Sequence, residues 1–122
     1  MIKRALKVAL VQLSVGADKP RNIAEAVKEI HKAKQKGAQL VALPECFNSP
    51  YGTSPKHWEL LGRARANDQQ LWVALVSPAR DETAGYVAWG HSTLIDPWGQ
   101  VVSKLDEKAG TLIADIGELL RN

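Results

Sequence analysis

The chain of 122 residues has one cysteine, Cys46, which excludes an internal disulfide framework and suits a reducing compartment. It also lacks any run near the roughly 18 apolar residues that cross a membrane, so no membrane partner is expected. The opening "MIKRALKVALVQLSVGA" has the outline of a signal peptide. Lys7 and Gln12 interrupt its apolar part, however, and leave too little for an h-region. There is no glycine-rich phosphate loop, no G-x-S-x-G elbow, no internal repeat and no low-complexity tract. His31, His57 and His91 are too scattered to be metal ligands by spacing, so neither a metal nor a cofactor is expected. Charge of one sign is also scarce, the net being +3. The densest basic stretch, "HKAKQKGA", spreads Lys32, Lys34 and Lys36 around a helix instead of along a stripe, so no nucleic-acid partner is expected.

What is present is 45% hydrophobic and 24% charged, the composition of one ordinary globular domain with a modest core. "KVALVQL" (7–13) reads as a strand covered on both faces. After the loop "SVGADKPRN", Asn22 and Glu25 have capping-box spacing, and Ile23, Val27 and Ile30 form one apolar face of a helix that Gly37 ends. "QLVAL" (39–43) is a second strand, stopped by Pro44 and parallel to the first. "PKHWELLGRARAND" is a second helix and "LWVALV" (71–76) a third strand. "YVAWGHSTLIDPWGQVVSKL" reads as a hairpin turning at Pro97-Trp98-Gly99, and "TLIADI" (111–116) as a last strand. The fold class is α/β, a β-α-β-α-β-β-β-β layered unit.

Ligands of open α/β sheets bind beyond the carboxyl ends of strands. Glu45 stands there, just past the second strand, where it is either a general base or a solvated loop carboxylate. Cys46 follows it directly, and neighbours in extended chain point to opposite sides, so the two would not aim at one atom. A free cysteine is more often a small buried hydrophobe than a nucleophile. His91 and Ser92 suggest a serine hydrolase with Asp81 or Asp96 as orienter, but they too are strand neighbours facing apart. A hydrogen-bonded structural histidine is the plainer reading of His91. Trp58, Trp72, Trp89 and Trp98 read as core and corner residues.

"VALVQL", a helix and then "LVALPECFNSPYG" resemble the start of the carbon–nitrogen hydrolase (nitrilase) superfamily, with the omega-amidase branch nearest. "HWELLGRARANDQQLWVALVSPARD" and "YVAWGHSTLIDPWGQVVSK" resemble a later part of the same proteins. The resemblance implies amide hydrolysis through a thioester, in which a cysteine attacks, a glutamate moves the proton and a lysine stabilises the oxyanion. It places Glu45 on the catalytic glutamate and Tyr51 where the substrate's far carboxylate is held. Cys46 then matches a non-catalytic cysteine. The implied substrates are short dicarboxylic mono-amides such as α-ketoglutaramate and α-ketosuccinamate.

The family's lysine strand and its "GxCYD"-type nucleophile motif belong between "SPYG" and "HWELL", and neither is in this sequence. A seam near Gly52–Pro55 is therefore expected within a truncated domain spanning residues 1–122, with a further C-terminal tail of the family also missing. The resemblance implies a four-layer αββα sandwich, of which this chain would be one unit. One sheet face would then be apolar and uncovered, and a homo-oligomer through that face is expected. Such a chain is expected to be inactive alone, the alternative being a non-catalytic, self-associating or partner-binding fragment. A cytoplasmic location is expected, with a mitochondrial one left open for want of a clear targeting segment.

Overall fold

The computed structural model describes residues 5–45 and 57–117. The elements run β1 (Leu6–Gln12), α1 (Lys19–Gln35), β2 (Leu40–Ala42), α2 (Trp58–Gln69), β3 (Val73–Leu75), β4 (Thr93–Ile95), β5 (Val101–Lys104) and β6 (Gly110–Ile116). The order is the one read from the sequence. Two three-stranded sheets result, β2-β1-β6 and β3-β4-β5. β1 pairs with β2 in parallel, and every other pairing is antiparallel. β1 and β6, far apart in sequence, are matched along their whole length, from Leu6 opposite Ile116 to Gln12 opposite Gly110.

Alternation along the strands decides the layers. Val8 and Leu10 of β1 meet Leu112 of β6 and Leu94 of β4, with Trp72, Val76 and Leu105 packed around them. Val11 and Leu13, on the other side of the first sheet, pack on Ala26 of α1. Gly62 of α2 lies so close to Leu75 and Ile95 that an added Cβ would fall 2.5 and 2.9 Å from their methyls. The chain is thus layered α1, sheet, sheet, α2. The uncovered sheet face expected from the sequence does not occur among the described residues, because the chain's own second sheet fills it.

Helix α1 corrects two further expectations. Its N-cap is Asp18, whose side chain accepts from Arg21 N at 3.1 Å, and Pro20 sits in the first turn. Asn22 is instead buried inside the helix and folds back on Gly16, accepting from its N–H and donating to its carbonyl. The buried face is Asn22, Ala26 and Ala33, whereas Ile23 and Val27 are 42% and 48% exposed. Small side chains let the helix approach the sheet, and the larger aliphatics flank that line. Gly37 does follow the helix in a left-handed conformation, as expected, with φ +87°. Asp18→Ala is expected to cost about 1 kcal/mol through the lost cap; a denaturant midpoint equal to the parent's would show the cap to be idle. No helix among the described residues is long and apolar enough to cross a membrane.

The expected hairpin is shorter than its sequence suggested. β4 and β5 pair around Pro97–Gly99, and Asp96 fastens the turn by accepting from Trp98 N and Gln100 N. Residues 86–92 form no strand. Gly90 and His91 both have positive φ, +71° and +57°, which breaks the extended run.

Candidate active site

Glu45 lies beyond the carboxyl end of β2, after Leu43 and the buried Pro44, and is exposed. Proline cannot extend the ladder, so the chain turns off the sheet where a carboxylate faces the adjoining loops. There Glu45 lines a small pocket of 50 Å³ with Trp58, Val76, Ser77, Pro78, Tyr86 and Ala88. Trp58 comes from the first turn of α2 and is fixed by its indole N–H, which donates to His91 O at 3.0 Å. Tyr86 and Ala88 come from the irregular stretch before β4. Cys46 and Tyr51 lie outside the described residues.

Ser77 cannot serve as a nucleophile as placed. It is buried, its hydroxyl donates to Pro78 O, and its Oγ accepts from Gly90 N. No lysine, cysteine or histidine lines the pocket among the described residues. Among the described residues Glu45 is its one carboxylate, a group able to take up a proton but not, by itself, to attack an amide.

Behind the pocket a polar joint ties the two sheets. Gln12 is 1% exposed, and its amide nitrogen donates to Asp106 O and Lys108 O. Its Oε1 accepts from both the N–H and the hydroxyl of Ser92. Ser92 Oγ in turn accepts from Ser77 N. Ser92 is fully buried in this joint, so the serine-hydrolase arrangement is not formed. His91 stacks on Trp89 at 4.4 Å, with Nδ1 2.9 Å from Trp89 O, as a structural histidine does. Arg80 lies 4.5 Å over the same indole.

Asp81 turns to Thr83 instead of to any histidine. Hydrogen bonds from the Thr83 hydroxyl and then its N–H hold the Asp81 carboxyl below the usual carboxylate range. This exposed turn therefore tightens at neutral pH and loosens as pH falls through that lowered value. No group of three or more metal-ligating side chains is gathered among the described residues.

Trp58 and Tyr86 were not anticipated as pocket residues. The aromatic within "HWELL" was the available signal for the first, and nothing in the local pattern pointed to the second.

The chain is a four-layer α/β sandwich with a glutamate at a strand end. The carbon-nitrogen hydrolase family model matches residues 7–54 and 52–121, and the chain belongs to that family. Among curated proteins it is similar to omega-amidase NIT2 of Danio rerio, 56% identical over 82 residues, which are 67% of this chain and 29% of that protein. The Homo sapiens omega-amidase NIT2 is 51% identical over the same shares. This chain thus matches less than a third of the length of those relatives. Saccharomyces cerevisiae Nit3, a member of branch 10 of the nitrilase superfamily, superimposes with a TM-score of 0.84 at 21% identity, covering 93% of this chain and 90% of that one. An amidase from Nesterenkonia sp. gives 0.78 at 14%, covering 92% and 90%. At these identities the two structures show the nitrilase-type fold.

Proposed function

We propose that this chain is the glutamate-bearing part of an omega-amidase-type hydrolase, which does not turn over an amide by itself. The lineage reaction would take short dicarboxylic mono-amides, such as α-ketoglutaramate and α-ketosuccinamate, to the acid and ammonia. Glu45 would move the proton and Tyr51 would face the substrate's far carboxylate.

The observation that carries the reading is the pair of family matches. They overlap at residues 52–54, which supports reading a join there, between the two parts where the resemblance would put the lysine and the nucleophilic cysteine. Losing the nucleophile of a group that acts as a unit costs about a million-fold in turnover. The pocket supports the same conclusion. Its 50 Å³ admits a water or two, whereas small-molecule sites run to about 300–1,000 Å³.

The purified chain is expected to release no ammonia from α-ketoglutaramate above the buffer blank. Turnover abolished by both Glu45→Gln and Cys46→Ala would overturn the reading and make Cys46 the nucleophile.

A further inference from the structure

The pocket at Glu45 is small, walled mostly by carbon and lined by no cation. Val76, Pro78 and Ala88 give it aliphatic walls, and Trp58 and Tyr86 add two aromatic rings. The indole N–H of Trp58 is engaged by His91 O, and the Ser77 hydroxyl by Pro78 O and Gly90 N. Among the described residues no lysine, arginine or histidine joins the lining, and the Glu45 carboxylate is its one charged group. A carboxylate has about four acceptor sites, so a partner on one of them does not close it to a ligand. Set among aromatic and aliphatic side chains, it repels anions and attracts cations, and aromatic faces add to that attraction.

Size and donor set narrow the cation. A volume of 50 Å³ holds one or two water-sized groups, which suits ammonium or methylammonium and shuts out a quaternary amine. Calcium takes about six to eight oxygen ligands and magnesium a near-octahedral set. No three metal-ligating side chains gather among the described residues, so the pocket suits neither. Its walls are also pinned from behind. Ser77 N donates to Ser92 Oγ at 3.0 Å, inside the joint built on Gln12, and Gly90 N donates to Ser77 Oγ at 3.0 Å. Such pre-set walls accept a fitting ion at little ordering cost and do not widen for a larger one.

We propose that the Glu45 pocket is a binding site for a small ammonium ion, ammonium itself or methylammonium, held by the carboxylate beside Trp58 and Tyr86. The pocket is thus matched to the nitrogen end of an amide and not to a dicarboxylic acid. The inference rests on the functional reading at one point, that ammonium is the product formed beside Glu45.

The test is a titration of the purified, isotope-labelled chain with methylammonium chloride near neutral pH, followed through the Trp58 indole N–H signal in NMR spectra. The signal is expected to shift to saturation with a Kd on the order of 10 mM, as suits one exposed carboxylate aided by aromatic contact. Ammonium chloride should behave alike. Tetramethylammonium chloride and potassium chloride should each bind at least tenfold more weakly. Glu45→Gln should weaken methylammonium at least tenfold, whereas Glu82→Gln, which removes the same charge from an exposed loop, should leave the Kd unchanged. Both side chains are exposed, so both variants should melt as the parent does. Selectivity among the four salts is read on the parent chain alone and tests the proposal without any variant. Absence of a saturable shift, equal binding of potassium or tetramethylammonium, or a Kd indifferent to Glu45→Gln overturns it. Binding is read without turnover: ammonia release by the isolated chain would sink the functional reading and leave this one standing, and an inactive chain blind to methylammonium would sink this one alone.

Discussion

Gln12→Met is expected to lower stability by about 3–5 kcal/mol, because each buried polar group left unpaired costs about 1–3 kcal/mol. The side chain is 1% exposed and forms four hydrogen bonds, to Asp106 O, Lys108 O, Ser92 N and Ser92 Oγ. Methionine fills nearly the same volume, so the loss reports on polar satisfaction and little on packing. The deserted groups belong to two separate segments, the approach to β4 and the connection between β5 and β6. At this size the loss amounts to roughly 10–20 °C in Tm. A domain whose whole stability is about 5–15 kcal/mol would be visibly crippled. A loss under about 1 kcal/mol would mean that water satisfies the deserted carbonyls, and that the joint is not what ties the sheets.

Gly90→Ala should be the next most damaging change, at about 2–4 kcal/mol from backbone strain and overpacking together. Gly90 has φ +71°, and a Cβ built there would lie 2.7 Å from Glu107 Cα and 3.1 Å from Glu107 O. The obstacle is backbone, so no rotamer change relieves it. Glu107 is itself pinned, since its carbonyl accepts from Arg80 N, and neighbouring Asp106 O accepts from His91 N. Gly85→Ala is the matched control: its φ is not positive, nothing lies within 4 Å, and its denaturant midpoint should scarcely move. Equal midpoints for the two variants would show that the segments at Gly90 and Glu107 separate without cost.

The strands were legible because their apolar runs are short and end in proline, glycine or polar residues. "KVALVQL" and "TLIADI" came within a residue of β1 and β6. The stretch "YVAWG" was not, because its β-favouring residues are bent by the consecutive left-handed Gly90 and His91. That bend is fixed by partners distant in sequence, chiefly residues 106 and 107. Helix α1 misled for a related reason: periodicity weights bulk, and Ile23 and Val27 outweigh Ala26 and Ala33. Close approach to the sheet selected the small residues instead. At the site, the position of Glu45 beyond a strand end was readable from Pro44. The company of Trp58 and Tyr86 was not, since it arises where the irregular loops meet. The layering within one chain was hidden too, because nothing in the pattern says which apolar faces find each other.

Because β1 finds its antiparallel mate only at residues 110–116, the first sheet cannot be completed while the ribosome is still making those residues. Until then β1 emerges as a bare apolar strand with just the three-residue β2 to pair with. Loop closure over such a distance is slow, and an exposed strand of this kind is prone to wrong pairings. Folding of this chain is accordingly a late event that begins once β6 is free, and holding chaperones that shield β1 in the interval should set its yield.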